Sequence, residues 1–173
     1  MIGFVRLLFL SSVLAVPANA QTADLSDLIA QRLALMRPVA AWKVENDRAV
    51  EDLAREAVVL DEASAQAAER GIDPPGVRVF FQSQIDAAKE IPHCWISRWT
   101  ETGQPGQPVQ DLLDEIRPEL LRLGDAIIDA MARNLAESGR LQADPEAFDI
   151  ECLTPQTARA LSAALSQVRA TGN

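Results

Sequence analysis

Apolar residues recur along this chain in steps of three and four, with no sustained apolar–polar alternation that would make a half-buried strand. The pattern predicts an all-α protein, a single bundle of about six helices. The first helix is expected from Asp24 or Ser26 to about Asn46, with Leu25, Leu28, Ile29, Met36 and Val39 turned inward. A second starts at Asp52, whose short carboxylate can accept from an orphan amide of the first turn. It carries Leu53, Ala57, Leu60, Ser64 and Ala67 on one stripe and stops at Gly71. Asp73-Pro74 opens the third, because proline's fixed φ and missing N–H suit a first helical turn. The inward face of that helix reads Val77, Phe81, Gln84, Ala88 and Trp95, which sets polar Gln84 on an otherwise apolar stripe.

Gly103-Gln104-Pro105-Gly106-Gln107-Pro108 has the composition of a loop. The fourth helix then shows Leu113, Ile116, Leu120, Leu123, Ile127 and Met131 in helical steps, with Pro118 marking a kink or a false start. Gly139 closes it, a short segment follows near Pro145 to Leu153, and Thr154-Pro155 opens a last helix ending near Ala170. Neither a repeat nor a second domain boundary is legible.

Residues 1–20 break this pattern. A short start with Arg6, an apolar run from Leu7 to Val16 and the small-x-small tripeptide Ala18-Asn19-Ala20 read as a secretory signal. The run is too short to span a bilayer. Cleavage before Gln21 leaves residues 21–173 as one domain, destined for the periplasm or for secretion. The net charge is −9, and loss of Arg6 makes it −10, since no other charged residue is removed. That sign argues against nucleic acid, and against membrane surfaces once the signal is gone.

Two cysteines in an exported chain point to one disulfide, Cys94 to Cys152, the alternative being two buried free thiols. Neither cysteine has metal-ligand spacing and the chain has a single histidine, so no metal site is expected.

Against this acidic background the placement of three cations stands out: Arg32, Lys43 and Arg55. Only two lysines occur, Lys43 and Lys89, whereas a solvated face would have drawn on the abundant arginines. Eleven residues make nearly three helical turns, so Arg32 and Lys43 share a face about 16 Å apart on a straight helix. Pro38 between them predicts a bend. An acidic chain that gathers cations on inward helix faces is suited to a small anion.

The run Gln31-Arg32-Leu33-Ala34-Leu35-Met36-Arg37-Pro38-Val39-Ala40-Ala41-Trp42-Lys43, followed by Val50-Glu51-Asp52 and Arg55-Glu56, resembles the exported class of the all-helical chorismate mutases. Gly71-Ile72-Asp73-Pro74, Val77, Phe80, Phe81, Gln84-Ile85 and Ala87-Ala88-Lys89-Glu90-Ile91 continue the likeness without a gap. It covers roughly Leu25 to Arg133. The resemblance implies a helical bundle that rearranges chorismate to prephenate, a unimolecular reaction needing no nucleophile, metal or organic cofactor. It also implies that one chain builds its whole site, so that either a monomer or a homodimer would serve.

By the same resemblance Arg32, Arg55 and Arg117 would hold carboxylates, as a planar guanidinium fork can, and Lys43 would point its compact charge at the ether oxygen. Asp52 and Glu56 would meet the ring hydroxyl, and Val59 and Ala88 would line the site. One departure stands out. A gapless match places Pro92 where the family puts a Gln or Glu donor to the ether oxygen, and proline has neither a side-chain donor nor an amide hydrogen. His93 could swing in as a replacement. The alternatives are a non-catalytic or weakened anion-binding module on the same fold, and a related pericyclic enzyme such as an isochorismate pyruvate lyase.

Overall fold

The computed structural model describes residues 24–103 and 109–172. The signal segment, its cleavage point before Gln21 and the loop from Gln104 to Pro108 lie outside the described residues. The described residues form six α-helices: α1 (Leu25–Ala34), α2 (Met36–Glu45), α3 (Leu53–Glu69), α4 (Pro74–Thr102), α5 (Arg117–Ser138) and α6 (Pro155–Leu165). A π-helical turn at Leu112–Ile116 leads into α5, and a 3₁₀ turn at Pro145–Ala147 precedes α6. There is no β-strand among the described residues, only an isolated antiparallel bridge between Ile72 and Ala170.

The helix expected from Asp24 to Asn46 is two helices. Pro38 cannot donate an amide hydrogen to the carbonyl four residues back, Ala34, and the break falls between Ala34 and Met36. Local chemistry sets the other starts as read. Asp52 Oδ1 accepts from Arg55 N at 3.1 Å, Asp73 Oδ2 from Gly76 N at 3.2 Å, and Thr154 Oγ1 from Thr157 N at 3.2 Å. Gly71, at φ +69°, ends α3 in the left-handed conformation that a side chain would strain.

The long helix α4 is the spine. It packs against α2 and α3 on one side and α6 on another, while α5 packs against α1 and α3. Phe80, Ile29, Leu33, Ile127, Met131 and Leu161 are among the fully buried side chains at the centre. Three positions differ from the sequence reading. Leu53 is 74% exposed and Ala57 is exposed, so the inward stripe of α3 begins only at Leu60. Leu113 is 56% exposed and Leu112 is buried in its place, because the wide π turn advances the helical phase by about one residue. The last helix stops at Leu165 rather than near Ala170: Asp73 N donates to Arg169 O at 2.9 Å and Thr171 N to Gly71 O at 2.9 Å. Pairing with the α3–α4 turn draws the C-terminal residues out of helical conformation.

Cys94 on α4 is bonded to Cys152 in the segment before α6, with Cα atoms 5.7 Å apart. Beside it Arg98 pairs with Glu151 at 2.5 Å, so α4 is tied to this segment twice. A bridge closing 58 residues restricts the unfolded chain by about 4 kcal/mol in the chain-entropy treatment. Cys94→Ser with Cys152→Ser is therefore expected to lower Tm by many degrees in calorimetry. An unchanged Tm would mean that the segment before α6 is held by packing alone.

Candidate active site

A cavity of about 170 Å³ opens between α1, α2, α3, α4 and α5. Its floor is apolar, with Met36, Val39, Val59, Phe81, Ile85 and Ile128 contributing. Its chemistry is dominated by charge: Arg32, Lys43, Arg55, Lys89 and Arg117 line it, against the carboxylates Asp52, Glu56, Glu62 and Asp125.

Arg32 enters from α1 and is only 7% exposed. Its Nη1 donates to Gln84 Oε1 at 3.3 Å, and the guanidinium stands 5.8 Å over the Phe81 ring. Burial, and then the neighbouring Arg55 cation, pushes its pKa down to about 10, so it remains charged at neutral pH. Lys43 enters from α2, is 9% exposed, and donates from Nζ to Ala49 O at 2.7 Å. Burial lowers its pKa first, opposed by Asp52 and reinforced by Arg117 and Arg48. Arg55 lies in the first turn of α3, within reach of Arg32's field.

The cations divide into two groups. Lys89 Nζ is 3.2 Å from Glu56 Oε2, and Arg117 Nη2 is 3.7 Å from Asp52 Oδ2. Arg32, Lys43 and Arg55 have no carboxylate within ion-pair distance among the described residues. Glu62 and Asp125 are exposed at the rim, and Asp125 accepts from Gln66 Nε2 at 2.7 Å. Desolvating several like charges without a counter-ion is costly, and an incoming anion offsets that cost. Three uncompensated cations match a ligand with two carboxylates and one further oxygen that gains negative charge.

Pro92 does not belong to this wall. It is buried inside α4, one turn past Ala88, and the lining contributed by α4 ends at Lys89. It follows Ile85 and Ala88 on the same helix face, where a proline brings no side-chain donor to the cavity. His93 is likewise excluded as a replacement donor: it is exposed, and its Nε2 sits 3.0 Å from Glu51 Oε1 outside the lining. Of the remaining sequence-chosen residues, Arg32, Lys43, Asp52, Arg55, Glu56, Val59, Ala88 and Arg117 all line the one cavity.

Comparison with known proteins identifies the class of site. The sequence profile for chorismate mutase type II matches residues 20–93. The chain is 31% identical over 137 residues to the secreted chorismate mutase of Mycolicibacterium smegmatis, across 77% of this chain and 76% of that one. The chain belongs to the chorismate mutase family. It is also 34% identical over 128 residues to the secreted chorismate mutase of Yersinia pestis, covering 73% of this chain and 66% of the relative. A crystal structure of secreted chorismate mutase from Yersinia pestis superposes with a TM-score of 0.79 at 27% identity, over 88% of this chain and 99% of that one.

Membership of the chorismate mutase family leaves two polar residues of this site to be explained. Lys89 was legible only as the second of two lysines, and its contact with Glu56 depends on how α3 and α4 pack. Gln84 was legible as a polar residue on an apolar stripe, which marked it as unusual without naming its partner. Val39 and Met36, read as core, are also wall.

Proposed function

We propose that residues 21–173 form one exported domain, periplasmic or secreted after removal of residues 1–20, that rearranges chorismate to prephenate in this cavity. Arg32, Arg55 and Arg117 hold the substrate's two carboxylates, and Lys43 faces the ether oxygen. Catalysis is then positioning of a compact chair-like dianion plus stabilisation of the charge that grows as the C–O bond breaks. Asp52 and Glu56, anchored by Arg117 and Lys89, present carboxylate or backbone oxygens to the ring hydroxyl.

The observation that carries this reading is the set Arg32, Lys43 and Arg55, buried or half-buried on one wall without counter-ions. By resemblance to the exported class one chain builds the whole site, and either a monomer or a homodimer would serve. No helix among the described residues is long and apolar enough to cross a membrane. The reading as a non-catalytic or weakened module rests on Pro92 as a missing donor, and the likeness to secreted chorismate mutases favours the enzyme over it.

Purified mature protein incubated with chorismate, with no added metal or cofactor, should consume it and release prephenate. The expected acceleration over the uncatalysed reaction is on the order of 10⁶-fold or more. A folded preparation with only the background rate would overturn the proposal.

A further inference from the structure

We infer that Gln84 is a positioning residue for Arg32, a neutral acceptor that orients the guanidinium without neutralising it; this rests on the reading of the cavity as a dianion site. Gln84 is 0% exposed on α4, 52 residues from Arg32, and its Oε1 accepts from Arg32 Nη1 at 3.3 Å. Its own Nε2 has no partner among the described residues, and neither has Arg32 Nε. A buried amide with an unsatisfied N–H is a poor choice for stability, since an apolar residue of the same volume would avoid the desolvation cost. Stability alone does not account for glutamine here.

The chemistry of the alternatives shows what glutamine supplies. Glutamate has the same length and would give Arg32 a counter-ion, but it would occupy the fork and cancel the charge meant for substrate. Methionine fills the space but offers no strong acceptor. Glutamine alone of the three fixes one side of the guanidinium while leaving its full positive charge. The Phe81 ring, 5.8 Å from the guanidinium carbon, covers a second side without cancelling it either. Arg32 is thus held from two directions with its remaining donors free to bind.

The test compares Gln84→Glu and Gln84→Met with the wild type for chorismate turnover and thermal unfolding. Gln84→Glu should raise KM on the order of 100-fold, because Arg32 then carries an internal carboxylate, while Tm holds or rises. Gln84→Met should lower kcat/KM about tenfold through loss of one charge-assisted hydrogen bond, with Tm within a few degrees of wild type, since the unpaired amide is exchanged for an unpaired Arg32 Nη1. In an Arg32→Met background the methionine change at position 84 should have no further effect on turnover, which separates action through Arg32 from general packing. An active wild type whose KM is untouched by Gln84→Glu overturns the inference while leaving the functional reading intact. Variants that fail to fold, or that lose Tm with unchanged kinetics in the folded fraction, overturn it as well, since Gln84 would then be a structural residue. An inert wild type overturns the functional reading and the inference with it.

Discussion

Lys43→Ala is expected to reduce kcat on the order of a thousandfold, with a smaller change in KM and almost none in Tm. An ammonium aimed at an oxygen that gains charge only as the bond breaks contributes to the transition state more than to the bound substrate, so its loss falls on kcat. The site is built for this. Lys43 is 9% exposed, it is held by Ala49 O at 2.7 Å, and no carboxylate among the described residues lies within ion-pair distance of it. Ala49 is exposed, so water can replace the lost donor, and folding has little to lose. Lys43→Arg should not rescue, because a planar fork cannot put one compact charge at the same point. Burial lowers the Lys43 pKa, so kcat should also decline on the alkaline side as the ammonium loses its proton. Steady-state kinetics and calorimetry on the same preparations decide the matter: an unchanged rate, or a loss of activity matched by unfolding, refutes the role.

Much of this molecule was readable in advance because the relevant chemistry is local. Asp52, Asp73-Pro74 and Thr154-Pro155 announce helix starts through contacts within three residues, and those starts fall where the sequence placed them. The cations were readable for a different reason. Lys43 is one of only two lysines, and the spacing of Arg32, Lys43 and Arg55 constrains which faces they occupy. What failed was whatever depends on partners distant in the chain. The end of α6 is decided by hydrogen bonds with the α3–α4 turn, about a hundred residues away, where Arg169 O accepts from Asp73 N and Thr171 N donates to Gly71 O. Leu53 and Ala57 follow the helical stripe of Leu60 but are exposed, because the start of α3 has no element among the described residues packed over that face. Leu113 was displaced by a π turn that no periodicity count anticipates. Pro92 illustrates the limit at the site itself: a gapless match places it one turn past Ala88, but the lining from α4 stops at Lys89.

Arg32→Met should separate function from stability most sharply. Holding this guanidinium's pKa at about 10, well below that of a solvated one, costs the folded protein about 3 kcal/mol at neutral pH. The folded-state value is the lower one, so above about pH 10 the unfolded chain binds more protons and stability rises with pH until the unfolded guanidinium titrates as well. Below it the folded protein bears the whole cost. Methionine removes the charge and keeps much of the apolar stem, but it leaves the Gln84 carbonyl unpaired, at about 1–3 kcal/mol. The two effects nearly cancel, so Tm should stay within a few degrees of wild type. The Arg32→Met/Gln84→Met double variant, freed of both penalties, should melt higher than wild type. In both variants kcat/KM should fall on the order of a thousandfold or more, since a carboxylate anchor is gone. Chorismate or prephenate should raise the Tm of wild type by mass action and leave that of the variants unmoved. Should Arg32→Met unfold the protein, the buried guanidinium is a structural strut, and its freedom from a counter-ion has some cause other than a waiting anion.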